Sequence, residues 1–345
     1  MKMLSFLIIT TLLPCISCTS GSDENSTSPA ISTDKTSENK TSTENEEEDL
    51  TQTVFIADHQ IAHEDVLRSI PETYINAARE NFHIAYQHTS HGTHVSRGVY
   101  GLPDYKSGDE NRFAVSRNKQ VSGKLSFYDN TLKDYADEGE IATDLSANET
   151  GFIEATRNFL DNPENTHINV IMWSWCDIAG HDVSGNYLAG MTQLIAEYGE
   201  DGSKIGNQEG QRATPVHFIF MTGHANGNDN IGTGKPGNQA ELINNYCIEN
   251  KQFCLDYYSI DTHDIAGNYW EDANDNGYSN SYGGNFYKDW QDMKDSGNGY
   301  WLNRLAPNGE VAFGEHNTQH ITANRKAIAF WWILARMAGW DGKTE

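Results

Sequence analysis

Apolar residues come along this chain in two kinds of block. The first kind is spaced at three and four. Val66, Leu67, Ile70, Tyr74 and Ala77 fit one face of a helix over 63–80, with Pro71 breaking or restarting it. Helical spacing returns over 151–161 and 238–250. It is clearest over 186–198, where Leu188, Met191, Leu194 and Ile195 form one stripe. A last long helix, about 321–338, carries Ile328, Trp331, Trp332, Leu334 and Met337, with both tryptophans expected in the core. The second kind is short and continuous: Phe82–Tyr86, Ile168–Trp175, Val216–Met221 and Phe253–Ile260. Runs of this length read as buried strands. Strands alternating with helices imply parallel βαβ units and a helix-flanked sheet. The stretch 262–314 is rich in Asn, Gly, Asp and Tyr, and reads as loops along one edge of a site.

In a parallel sheet, ligands bind beyond the carboxyl ends of the strands. The unusual polar residues of this chain fall at those ends: His88-Thr-Ser-His-Gly-Thr-His94 after the first run, Cys176–His181 after the second, and Gly223–Asp229 after the third. That convergence points to chemistry more strongly than any single motif.

The ends of the chain differ in character. Residues 1–18 have Lys2 followed by an apolar core from Leu4 to Leu13, too short to span a bilayer and laid out as a secretory signal. Its close, Ile16-Ser17-Cys18, resembles a bacterial lipoprotein signal, which implies lipidation of Cys18, export, and anchoring to a membrane on its periplasmic or cell-surface side through the lipid alone. Residues 19–53 are Ser, Thr, Asn and Glu with almost nothing apolar, and read as a disordered acidic tether. The remainder, 54–345, suffices for one large α/β domain. A formal net charge of −25 argues against nucleic acid as a partner. Of the cysteines beyond the signal, Cys247 and Cys254 are spaced to close a short disulfide loop in an exported protein, which would leave Cys176 unpaired.

Ser90 stands just past the first strand. A serine is a weak nucleophile until a base takes its proton, and that base is usually a histidine oriented by a third group. His88 and His91 flank it. His316 and His320 come late, just before the last helix, with Glu315 and Asn317 as local orienting groups. An early strand-end Ser and a His before the C-terminal helix resemble the SGNH (GDSL-type) hydrolases. There the Ser follows Gly-Asp, the His closes Asp-x-x-His, and a Gly-x-Asn-Asp block follows a strand. Here the matching stretches are His88-Thr89-Ser90, Asn317-Thr318-Gln319-His320 and Ser174-Trp175-Cys176-Asp177. The resemblance implies a three-layer α/β sandwich of SGNH/flavodoxin-like type, with a mainly parallel sheet flanked by helices, and serine esterase activity without a required cofactor. His-Thr replaces Gly-Asp, Asn317 replaces the triad Asp, and Cys176 replaces the oxyanion-hole Asn. Asn226 is a candidate for the missing amide donor.

Three further expectations follow. Exposed aromatic faces suit sugar rings, so Trp175, Asp177, His224, Tyr282 and Trp290 are assigned to substrate contact. Tyr269, Trp270, Tyr300 and Trp301 gather in the same part of the chain, and Trp173 reads as core. The substrate class expected is a polysaccharide or oligosaccharide ester. His-x-x-His-x-x-His over His88, His91 and His94 offers a zinc site, and with it a metal-dependent enzyme such as a polysaccharide lyase, as an alternative; a non-catalytic carbohydrate-binding lipoprotein is another. Asp272, Asn274 and Asn276, followed by Gly277, match the first half of an EF-hand-type loop and suggest a structural calcium ion, although Gly283 stands where a bidentate Glu is expected.

Overall fold

A computed structural model of the chain describes residues 55–295 and 316–343. The expectations for the signal, Cys18, the tether, Glu315, Tyr300 and Trp301 lie outside these residues. Among the described residues no helix is long and apolar enough to cross a membrane.

Seven parallel strands form one sheet: β1 (Ile56–Ala57), β2 (His83–Gln87), β3 (Val115–Arg117), β4 (Leu125–Asp129), β5 (Val170–Trp173), β6 (His217–Met221) and β7 (Cys254–Leu255), in the order β1-β7-β6-β5-β2-β4-β3. Helices α1 (Glu64–Ser69), α2 (Glu72–Asn81) and α3 (Thr93–Gly101) precede β3. Then come α4 (Gly151–Asp161), α5 (Ala189–Tyr198), α6 (Pro236–Asn250), α7 (Tyr257–Thr262), α8 (Phe286–Asp295) and α9 (His320–Met337).

Strand residues alternate between the two faces of the sheet because the side-chain period is two. Ile84, Tyr86, Phe127, Val170, Met172, Ile219 and Met221 pack with Leu67, Ile75, Val95, Val99, Ile328 and Trp331, so α1, α2, α3 and α9 cover one face. Ala85, Ile171, Trp173, Phe218 and Phe220 pack with Phe152, Phe159, Met191, Leu194 and Ile243, so α4, α5 and α6 cover the other. The result is the three-layer α/β sandwich, and Trp331 and Trp332 are in its core at 0% and 1% exposure.

The five central strands run β4-β2-β5-β6-β7. In chain order that is 2-1-3-4-5, the flavodoxin-like doubly wound arrangement. After β2 the chain moves outward to β4, then crosses back to β5 on the other side of β2. The loops leaving β2 and β5 therefore diverge and open a crevice at the carboxyl ends of these two neighbours.

The elements depart from the sequence reading in four places. The run Phe253–Ile260 is a two-residue strand followed by helix α7, because the side chain of Asp256 accepts from Ser259 N at 3.1 Å and caps the helix. An apolar run alone does not separate strand from buried helix. The segment from 262 is more ordered than loops: it holds a hairpin, β8 (Tyr278–Ser279) with β9 (Gly284–Asn285), and then α8. Strand β4 and helix α3 carry no continuous apolar run or clean stripe and were not anticipated. Cys247 and Cys254 are buried free thiols, not a disulfide.

Candidate active site

Strand β2 delivers Ser90 to the crevice. The chain leaves β2 through His88 and Thr89 and turns sharply, with Ser90 at φ +44°, into a short 3₁₀ turn that leads to α3. That left-handed conformation is unfavourable for a residue with a Cβ, and such strain collects at functional sites. Gly92 makes the turn possible. A Cβ there would sit 2.6 Å from His88 Cβ and 2.7 Å from Ser174 Cβ, so only glycine lets the loop lie against the end of β5.

Ser90 Oγ lies 2.6 Å from His316 Nε2. The two are 226 residues apart in sequence, and the distance is a hydrogen bond. His316 also has a left-handed backbone, φ +61°, at the turn just before α9. Of the two late histidines, His316 reaches the serine. His320 begins α9 and is 2% exposed. Asn317 is turned inward: its amide donates to Asp275 O at 3.1 Å and to Thr322 Oγ1 at 2.5 Å, and its Oδ1 accepts from Gln319 N at 2.7 Å. It secures the start of α9 rather than orienting His316.

Three imidazoles are stacked at the site. His224 lies 3.6 Å from His91, ring centre to ring centre, and His91 lies 4.8 Å from His316. Burial, with His224 and His316 as neighbours, pushes His91 down to about 3, so its ring is neutral at physiological pH. Burial likewise lowers His224. His88 takes no part in the stack. Its Nε2 pairs with Asp129 Oδ1 at 2.7 Å, and Asp129 also meets Arg117 at 2.9 Å, which ties the end of β2 to the end of β4. Burial would raise the Asp129 carboxyl, but His88 and Arg117 outweigh it and hold it low.

The loop after β5 supplies the opposite wall. Ser146 Oγ accepts from Cys176 N and Asp177 N, each at 2.9 Å, and donates to Asp177 O at 2.7 Å, fixing Cys176 in place. The Cys176 thiol is raised by burial, against hydrogen bonds with the hydroxyls of Ser90 and Thr89. It therefore stays protonated beside Ser90 and is no competing nucleophile. Asn226 Nδ2 donates to Asp177 Oδ1 at 3.0 Å, joining the loops after β5 and β6. Its amide has a second N–H.

The other sequence-derived candidates scatter. Trp175 is 1% exposed and packs edge-on to Tyr187, leaving no face for a sugar. His224 is 6% exposed beneath His91. Tyr282 donates to Asp289 Oδ2 at 3.0 Å and packs against Trp270. Trp290 lines a separate cavity of about 290 Å³ with Tyr105, Ile265, Ile321 and Ile328, whose lining does not include Ser90. The open aromatic faces in this region are instead Tyr269 and Tyr278, 46% and 48% exposed.

The 272–276 loop holds itself together. Asp272 accepts from Ser279 Oγ at 2.6 Å and Ser281 N at 3.0 Å, and Asn274 Oδ1 from Asn276 N and Tyr278 N at 3.1 and 3.0 Å. Asn276 Oδ1 accepts from Thr318 N at 2.9 Å, which docks the segment that carries His316. The oxygens assigned to calcium accept hydrogen bonds from backbone and hydroxyl donors. Among the described residues no group of three or more His, Cys, Asp or Glu side chains is placed to hold a metal ion. His88 turns away to Asp129, while His91 joins the stack and His94 meets Tyr257.

Sequence reasoning missed what lies beneath the stack. Lys326 and Asp261, both 0% exposed, form an ion pair at 2.5 Å, and the Asp275 carboxyl lies 3.6 Å from His91 Nε2 and 3.9 Å from His94 Nε2. Burial, reinforced by Asp261, raises Asp275 to about 7. A lysine inside the apolar pattern of α9 was the available signal.

The arrangement can activate a hydroxyl at the strand ends. No family model, no curated protein and no solved structure matches the chain.

Proposed function

We propose that this protein is a serine hydrolase acting on an ester of a carbohydrate, such as an acetylated polysaccharide, from a lipid-anchored position outside the cytoplasm. The carrying observation is the 2.6 Å hydrogen bond between Ser90 Oγ and His316 Nε2 at the crevice between β2 and β5. Ser90 Oγ attacks the acyl carbon while its proton passes to His316 Nε2. The oxyanion of the tetrahedral intermediate takes a hydrogen bond from the second N–H of Asn226. Collapse breaks the ester bond, and the proton on His316 goes to the departing sugar oxygen. Water, deprotonated by His316, then releases the acid from the acyl-serine. Exposed Tyr269 and Tyr278 offer faces for sugar rings.

The test is hydrolysis of p-nitrophenyl acetate and of acetylated glycans by the purified protein and by Ser90→Ala. Turnover should fall by roughly 10⁴-fold or more in the variant. Equal turnover by both proteins would sink the proposal.

A second reading, a carbohydrate-binding protein without turnover, draws on the inward-turned Asn317. Saturable glycan binding with no release of acetate would favour it.

A further inference from the structure

Two opposite charges with no solvent exposure lie under this site, and removing such a pair from water is costly. Each partner reaches a different loop. Lys326 Nζ donates to Asp261 Oδ1 at 2.5 Å, comes within 3.4 Å of His94 Nδ1, and sits 3.9 Å over the centre of the Tyr257 ring. Tyr257 in turn donates to the carbonyl of His91 at 2.9 Å and pairs with His94 Nδ1, so this side holds the loop after β2. The second oxygen of Asp261 accepts from Ala225 N at 3.2 Å, between His224 and Asn226, so that side holds the loop after β6.

The geometry points to Lys326 and Asp261 as positioning residues that lock the loops after β2 and β6 against each other, keeping Ser90, His91, His224 and Asn226 in one arrangement. The inference rests on the serine-hydrolase reading for its consequence, although the locking itself does not need it. An apolar pair of similar volume would serve packing equally well. It would lack the hydrogen bond to Ala225 N and the cation that orients Tyr257 and His94. Neither residue touches the reacting atoms.

The test uses the whole chain bearing Lys326→Met and Asp261→Leu together, which removes both charges and leaves neither unpaired. Three quantities are read: the thermal midpoint, hydrogen–deuterium exchange of peptides spanning 88–92 and 222–227, and the rate at which a fluorophosphonate labels Ser90. The expected result is a folded protein whose exchange rises by about tenfold or more in both loops but not in β5. Labelling should slow by about 100-fold, the scale of a small misplacement of reacting groups. Wild-type exchange in both loops of the folded double variant would overturn the inference. If that variant does not fold, Asp261→Asn, which keeps the side-chain shape, is read by the same exchange measurement. Loosened loops in a protein whose wild-type Ser90 never labels would leave the positioning role standing and remove the hydrolase reading.

Discussion

Ser90 and His316 meet because both ends of the interaction are built on left-handed turns, at φ +44° and +61°. The serine was visible in the sequence as a hydroxyl among imidazoles at a strand end. Its partner was narrowed only to His316 or His320, because both come just before the same helix and spacing treats them alike. Backbone direction separates them: His316 is on the turn, and His320 is inside the first turn of α9. His316→Ala should therefore lower ester turnover by about 10²- to 10⁴-fold, the usual contribution of a general base. His320→Ala should instead lower the thermal midpoint while sparing the rate constant. The reverse pattern in paired kinetic and melting measurements would reassign the base. Trp175 and His224 teach the converse, since their residue types suggested substrate contact while their burial rules out an open face.

The loop that carries Ser90 is anchored by α3, and α3 lies close against α9. Gly98 permits that approach, since a Cβ there would come 2.7 Å from the Ala323 carbonyl carbon in the facing backbone. Gly98→Ala should cost about 1–3 kcal/mol, as overpacking between rigid backbones does, and urea unfolding will read it. Turnover should fall with it, because moving α3 moves Ser90; an unchanged midpoint would show that the helices separate freely. Among elements, β2, β5 and β6 were readable as continuous apolar runs because both their faces are covered. β4 was not, since Ser126 lies between Leu125 and Phe127 in too short a pattern to stand out. α7 hid in an apolar run because its start signal, Asp256, acts through an N-cap and not through hydrophobicity.

At the scale of the molecule, burial of imidazoles makes stability depend on pH. His91 and His59 are each held near 3, His91 by burial with its stacked neighbours and His59 by burial beside His263. Unfolded, each binds a proton near 6.5, so below that pH the unfolded state carries more protons and folding weakens. This stability is fully present above about 6.5 and is lost as pH falls toward 3. Asp58, raised by burial to about 6, acts in the opposite sense, losing stability as pH rises through 6. The clean measurement is a difference: His91→Gln should lose less stability than wild type between pH 6.5 and pH 4, by chemical denaturation. Parallel losses would mean that the His91 ring titrates freely in the fold.

The sequence by itself determined the class of the fold and the polar clusters at the strand ends, Ser90 among them, because these depend on local periodicity and on residue types that are costly to bury. Tertiary structure alone decided the strand order 2-1-3-4-5, which parts the loops that leave β2 and β5. It also decided that His316 reaches Ser90, and that Lys326 of α9 meets Asp261 of α7 beneath the site. Those pairings join residues 65 to 226 positions apart. No local pattern encodes them; they arise from how helices pack across a twisted sheet.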